Sequence, residues 1–475
     1  MRTRIIAFAL GVVFLAACED PSRPDLNNPS VSDYSNITSV SQVAALATGM
    51  LVYDRASHTS EILRAEIMGR DAYNLPVAEP RWVSDLLGPS IDPGGFNGTS
   101  NWPYQPIRQA NIGIHGVEAA DASVLTDEQK NATLGFLRTL KAMAYLHVIE
   151  TRDTAGAPVN VDIEPTGPVA PLNCEGDVLA YIAALLDSAN TNLQAGGAAF
   201  PFALPAGFAG FDDPAGFATF NRGLAAKVYV YLGFLNYAPP GGSAGGPINT
   251  DALNKALAAL DASFINEDAS TLEDLNVGPA HDYSTASGDA TNGLFADPAA
   301  TDFRTNPRVV DEADAGDDRV ARKVVKTDEL SLSGVGSDWT FTLYPTPTTP
   351  VRILTNKELI LIKAEALWGQ GDYPGALALA NTVRTVDGGL SAASVSGAEN
   401  VLNQILYEKR YSLLWESPSR WIDARMFGKL NGSEPPVGIG MENDNAPLWN
   451  IPLPQPEVDA RGGDPNALEK TCSVG

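Results

Sequence analysis

The chain has 475 residues, 44% of them hydrophobic, a formal net charge of −25 and a pI near 4.4. That length has room for about three domains of ordinary size and ample apolar material for a core. So acidic a chain excludes nucleic acid, whose phosphates need basic stripes, and is repelled by an anionic membrane surface.

The N-terminus carries Arg2 and Arg4, then the apolar stretch Ile5 to Ala17. Thirteen residues are too few for a bilayer span, which needs about 20, and suit the core of a signal peptide. The stretch ends in Leu15-Ala16-Ala17-Cys18. This resembles the lipobox of bacterial lipoproteins, which implies cleavage after residue 17 and acylation of Cys18. An ordinary secretory signal is the alternative. Cleavage would remove two arginines and bring the charge to −27. The following "EDPSRPDLNNPS" reads as a tether, residues 18–40, so the protein is expected to be anchored in a membrane and not inserted through it.

Helical periodicity dominates the rest. The predicted helices are Ser41 to Arg55, His58 to Met68, a stretch continuing past Pro106, the strongest over 131–150, then 176–193 and 219–237. Asp251 to Phe264, Asn356 to Gln370, Pro374 to Val386 and Glu399 to Trp415 complete the set. The best strand signal is "DWTFTLYP", residues 338–345. Long Gly/Pro/Asp/Ser-rich loops intervene, chiefly over 80–100, 239–247 and 266–350. Loops so long are uncommon unless functional or flexible.

Helix, Gly-Asp-Tyr turn, helix over 356–386 resembles a tetratricopeptide unit, with Ala364 and Ala376 where two helices approach closely. Residues 225–264 read as a degenerate second copy, and 106–146 as a third. The predicted fold is therefore mainly α: a tetratricopeptide-like helix-pair scaffold with long irregular loops and a few short strands.

The residues offer little for catalysis or for metal. Three cysteines and four histidines (His58, His115, His147, His281) show no CxxC, HxxxH or HExxH spacing, so no structural zinc site, no metal and no cofactor are expected. The acidic run Asp311 to Asp318 lacks the spacing of a calcium loop and reads as solvated, with calcium binding as the alternative. No GxSxG appears. Sugar binding asks instead for aromatic faces, with amides, carboxylates and arginines on loops. Arg70, Asp71, Tyr73, Asn74 and Trp82 on one loop, and Tyr283 and Trp339 on another, are the candidates. The alternative is that each packs beneath its own loop. Trp102, Trp368, Trp415 and Trp421 fall in helical patterns and read as core.

Several pieces resemble the SusD/RagB family of outer-membrane nutrient-binding lipoproteins, in the family's order along nearly the whole mature chain. They are the lipobox, "NWPYQPIRQAN", "LGFLRTLKAMAYLHVIE…GAPV", the 352–384 helix pair, "ILYEKRYSLLWESPSRWIDARMFGKL" and "LWNIPLPQPEVDAR". In the fifth, Glu408, Lys409, Leu413, Trp415, Glu416, Arg420, Trp421 and Asp423 match the family pattern in kind. Lys409 stands where Arg is usual, Ser412 replaces a Glu, and one residue is inserted before Arg420. The resemblance implies a SusD-like fold with a signal peptide (1–17), a tether (18–40), an N-terminal part (41–240) and a C-terminal part (241–475) packed as one unit. It implies a lipoprotein on the outer face of the outer membrane that binds oligosaccharide and serves as the lid of a SusC-like TonB-dependent transporter, without being an enzyme. Glu19 and Asp20 just after Cys18 resemble a surface-export signal. Capture of peptides in the RagB manner, a surface glycosidase and a protein-binding repeat scaffold are the alternatives.

Two structural expectations follow from the residues themselves. Glu416 and Arg420 are expected as a buried ion pair that fixes helix packing, reaching across the turn that Pro418 forces, with a ligand clamp as the alternative; Glu408 and Asp423, as matches to the family motif, are expected to be structural. If Cys18 carries lipid, two cysteines remain, allowing one bridge, Cys174–Cys472, or two unrelated thiols.

Overall fold

The computed structural model describes residues 35–162, 167–240, 244–430 and 436–463. Cys18, the signal peptide, most of the tether and Cys472 lie outside them. The fold is mainly helical, with a few short strands. Ten helices of eight residues or more are described: α1 Val40–Met68, α2 Tyr104–Ala119, α3 Asp127–Arg152, α4 Glu175–Gln194, α5 Pro214–Phe234, α6 Thr250–Asp261, α7 Asn356–Gly369, α8 Tyr373–Val386, α9 Ala398–Ser412 and α10 Ser419–Met426.

The ends of these helices are written in the sequence. Thr126 and Gln129 form a capping box that starts α3: the Gln129 amide donates to Thr126 Oγ1 (3.2 Å), and the Thr126 amide to Gln129 Oε1 (3.0 Å). Asp372 caps α8 by accepting from the Gly375 amide (3.0 Å), with Pro374 in the first turn. Gly371, at φ +87°, makes the left-handed turn between α7 and α8. Ala364 and Ala376 are both fully buried there, as the repeat reading requires. Gly369 ends α7 against α6 and α5: a Cβ on it would lie 2.5 Å from Leu253 Cδ1 and 2.7 Å from Phe234 Cζ. The pairs α2/α3, α5/α6 and α7/α8 stack as the three predicted helix pairs, with α4 between α3 and α5.

One predicted boundary does not exist. Ser41–Arg55 and His58–Met68 are a single helix of 29 residues. Asp54, His58 and Glu61 are buried in its middle, so the apolar rhythm is interrupted by polar residues and not by a turn.

Short strands lie after α1 and in the loop region after α6: β1 Ala72–Asn74, then β2 Ala280–His281, β3 Phe303–Thr305, β4 Val324–Leu332, β5 Val335–Phe341 and β6 Val351–Arg352. They form three two-stranded antiparallel pairs, β1 with β3, β2 with β6 and β4 with β5. Ser333 and Gly334 turn the last hairpin at φ 52° and 90°, the positive-φ pair a tight hairpin wants. The strand expected over 338–345 is thus centred a few residues earlier.

Two apolar clusters make the core. One is the helix-pair scaffold, from Val43 on α1 to Leu406 on α9. The other gathers Ile62, Ile67, Tyr73, Leu294, Phe341, Tyr411, Trp415 and Trp421 beneath the strand-bearing loops. Each draws on residues both before and after 240, and α1 runs through both.

Candidate ligand cavity and the buried charge seam

A cavity of about 400 Å³ opens between α1, the 203–208 segment and the chain that leaves β2. That is within the usual size range of small-ligand sites. Phe208, Leu204 and Leu51 give it apolar walls, and Arg55, His281, Asp282, Tyr283 and Asp289 its polar groups. The Arg55 guanidinium lies 5.5 Å from the Tyr283 ring centroid, pairs with Asp289 Oδ1 (2.7 Å) and donates to the Asp282 carbonyl (2.9 Å). An aromatic ring beside a held guanidinium and carboxylates is the donor and acceptor mixture that sugar hydroxyls require.

Of the sequence-predicted candidates, Tyr283 alone lines this cavity. Arg70, Asp71, Tyr73 and Asn74 do not sit on a surface loop. All four are buried, Tyr73 and Asn74 on β1. Arg70 donates to the Leu86 carbonyl (2.9 Å), and burial pushes its guanidinium down to about 10. Asp71 is held by Arg410, Nη2 to Oδ1 at 2.7 Å. Tyr73 faces Arg304 across the strand pair. Their polarity serves the interior, because buried charge must be paired. Trp82 is half-buried, edge-on to Phe96 at 5.1 Å with Arg64 4.9 Å above it. Trp339 is half-buried on β5, under Lys326 at 5.4 Å. Neither shares the Tyr283 cavity.

Behind the cavity wall lies a group that sequence reading missed. His58, His147 and His281, distant in sequence, converge with ring centroids 6.0 Å apart for His58–His147 and for His58–His281. Asp54 accepts from His147 Nε2 (3.2 Å) and His281 Nε2 (2.7 Å), and Glu61 accepts from His147 Nδ1. With carboxylates on both nitrogens His147 is an imidazolium. These partners outweigh burial and raise its pKa well above the ordinary value. The same contacts, again against burial, hold Asp54 well below the usual carboxylate range. His58 donates Nε2–H to the Arg352 carbonyl (2.8 Å), and burial pushes it down to about 3, so it is neutral. Burial pushes Glu61 up to about 7. Asp54, His58 and Glu61 share one face of α1 at i, i+4 and i+7, a spacing visible only when α1 is read as one helix.

Glu61, His147 and Glu150 bring oxygen and nitrogen atoms within 4.8 Å of one another, a set able to hold a divalent cation. The Lys227 ammonium already stands there, 3.1 Å from Glu150 and 3.3 Å from Glu358, and Tyr231 donates to Glu150 (2.8 Å). The positive charge this set calls for comes from a side chain.

The C-terminal motif is largely buried, its charges held in several ion-paired groups. Glu408 pairs with Arg319 and Arg384, and Lys409 bridges Glu365 and Asp423 at 2.7 Å each. Glu416 and Arg420 do not pair with one another. Glu416 takes Lys323 (2.7 Å) and Lys357 (2.8 Å), whereas Arg420 lies 3.5 Å from Asp71 and donates to the carbonyls of Val437 and Gly438. The α9–α10 turn points them in different directions. Ser412, in place of the family's acid, accepts from Arg319 (2.9 Å). Trp415 stacks on Phe341 at 4.0 Å. Trp368, Trp415 and Trp421 are core, and Trp102 is half-buried. The 311–318 run is mostly at the surface, but Asp317 is buried against Arg319 (2.6 Å).

Cys174, at the start of α4, is disulfide-bonded. It lines a cavity of about 590 Å³ with Glu150, Asp153, Glu175, Arg425 and Trp449.

No protein-family model and no curated relative matches the sequence. Solved structures match most of it. A SusD superfamily protein from Parabacteroides distasonis is 14% identical, with 90% of this chain and 98% of its own covered, at a TM-score of 0.67. Another from Bacteroides thetaiotaomicron is 14% identical (90% and 99% covered, TM-score 0.65), and NanU of Bacteroides fragilis 15% (94% and 98%, 0.60). A further solved structure, 17% identical (88% and 96% covered) at a TM-score of 0.59, is described as being with xylogluco-oligosaccharide. The class is therefore defined by architecture: this chain has the SusD-like fold over essentially all of its described length. Among the described residues no helix is long and apolar enough to cross a membrane.

Proposed function

We propose that this chain is a surface-exposed outer-membrane lipoprotein, tethered through lipid on Cys18, that captures an oligosaccharide and delivers it to a SusC-like TonB-dependent transporter as its lid. The observation carrying the reading is the SusD-like fold, matched over 90% of the chain, together with the lipobox-like Leu15-Ala16-Ala17-Cys18. The cavity beside Tyr283 and Arg55 is assigned as the site of capture, Tyr283 stacking on a sugar face and Arg55, Asp282 and Asp289 meeting hydroxyls. No bond is made or broken in this role. Transport energy comes from the partner, and the site's work is recognition. Neutral oligosaccharides and peptides tested side by side by calorimetry decide the ligand class. Tyr283→Ala and Arg55→Met are expected to weaken oligosaccharide binding by about tenfold or more, the loss of one or two well-made contacts. Equal binding by both variants removes this cavity from the reading, peptide-only binding replaces the ligand class, and release of reducing sugar replaces capture by hydrolysis.

A further inference from the structure

We infer that the Tyr283 cavity selects a sugar bearing a free amine, in its ammonium form, over neutral and acidic sugars, a step that rests on the capture reading of that cavity. The charges on its walls are out of balance. Among the described lining residues Arg55 is the only lysine or arginine, against two aspartates, Asp282 and Asp289.

Arg55 is already engaged. Its Nη2 pairs with Asp289 Oδ1 (2.7 Å), its Nη1 donates to the Asp282 carbonyl (2.9 Å), and its side chain is 15% exposed. A ligand carboxylate would have to displace Asp289 to reach it, exchanging one ion pair for another. His281 gives its Nε2–H to Asp54 (2.7 Å), so that donor is not offered to a ligand either.

Asp282 stands differently. Its Oδ2 accepts from the Gly207 amide (2.7 Å), which fixes the carboxylate against the 206–208 turn, but no cation pairs with it and Oδ1 has no partner among the described residues. The turn comes close because residue 207 lacks a side chain: a Cβ there would lie 2.2 Å from the Ala280 carbonyl oxygen and 3.1 Å from Asp282 Oδ1. A half-buried carboxylate without a cation favours a positive group. Hydrogen bonds between ionised partners are roughly twice as strong as neutral ones, so an ammonium gains more here than a hydroxyl does. An acidic sugar meets the same carboxylate and is repelled. The net charge of −25 acts in the same direction at longer range. Size narrows the class further. About 400 Å³ is near the lower end of ligand pockets, roughly 300–1,000 Å³, and suits a short amino-sugar oligomer or a chain end more than the middle of a polymer.

Calorimetry of the full-length protein at pH 6.5 tests this with matched probes: glucosamine, glucose and glucuronic acid, and the galactose series likewise, as free sugars and as short oligomers. The amine is expected to bind at least about fivefold tighter than the hydroxyl form, and the acid weakest. Asp282→Asn keeps an acceptor for the Gly207 amide and is expected to abolish the amine preference while hydroxyl forms still bind. The N-acetylated sugars give the same test without a variant, because they keep the nitrogen and lose its charge; they should bind no tighter than the hydroxyl forms. Equal binding of amine and hydroxyl forms, tighter binding of the acid or of the acetylated form, or a preference that survives in Asp282→Asn overturns the proposal. Binding of hydroxyl forms that is lost in Tyr283→Ala but shows no amine preference removes the amine alone and leaves the capture reading. No binding of any probe, or binding untouched by Tyr283→Ala, removes both.

Discussion

Replacing Lys409 by Met tests the buried network most directly. Lys409 is 4% exposed and bridges Glu365 and Asp423 at 2.7 Å each. Met keeps the stem and removes the charge, leaving two buried carboxyls without a cation. Breaking a buried pair in this way costs about 3–5 kcal/mol. A chain of this length loses roughly 1 kcal/mol per degree near its midpoint, so Tm should fall by about 3–5 °C at pH 8. The loss must depend on pH. Burial already pushes Glu365 up to about 8 against the pull of Lys409, and raises Asp423 as well. A carboxyl raised on folding contributes stability below its unfolded pKa, near 4.5, and loses it as pH rises through the folded value. Without Lys409 both rise further, so the deficit should be small near pH 5 and largest near pH 8. Differential scanning calorimetry of both proteins at the two pH values measures this. A drop of equal size at both, or none at pH 8, refutes the reasoning, and Glu365→Gln with Asp423→Asn should restore most of the loss at pH 8.

Arg420→Ala removes the donors to Val437 and Gly438 and is expected to cost about 2–4 kcal/mol in urea unfolding; Asp71 keeps Arg410, so unchanged melting would mean that those carbonyls are satisfied otherwise. Asp54→Asn should cost about 3–5 kcal/mol at pH 5.5. Because Asp54 is depressed on folding, that gap should narrow below about pH 4, where the unfolded wild-type chain takes up a proton that the folded one does not; a gap unchanged at pH 3 excludes this account. Gly369→Ala should lower the urea midpoint by the equivalent of about 1–3 kcal/mol, since the new Cβ overlaps Leu253 and Phe234.

The repeat scaffold was legible because it follows local rules. The Gly371 turn and the small residues Ala364 and Ala376 sit where the repeat pattern puts them, while the capping box at Thr126 starts α3 four residues before the predicted 131. The C-terminal motif was legible as buried and structural, but not its partners. Glu416 reaches Lys323 and Lys357, both far away in sequence, and no spacing rule names them. The candidate site fared worse for a related reason. Arg70, Asp71, Tyr73 and Asn74 look like a polar binding loop, yet they follow α1 into the interior, where Arg410 and Leu86 take up their polar groups. A buried polar loop and an exposed one have the same composition. The histidines looked scattered because α1 was divided at its polar stretch, which hid the shared face of Asp54, His58 and Glu61.

These misreadings share one location. The early part of α1, through Leu51, packs in the helix-pair cluster and the later part, from Ile62, in the strand-side cluster, while Asp54, His58 and Glu61 lie between. The Lys409–Glu365–Asp423 bridge likewise joins α7, α9 and α10, and the Asp71–Arg410 pair ties β1's approach to α9. The buried charges therefore form a seam between two apolar clusters that either cluster alone would lack. Apolar contact is non-directional and would allow the clusters to slide on one another. Paired charges at 2.7 Å have one register, and losing it strands a charge in the interior. The Tyr283 cavity lies against this seam through His281. Its wall is thus fixed by the same contacts that fix the fold, which is what a site that recognises by shape and hydrogen bonding, with no covalent step, requires.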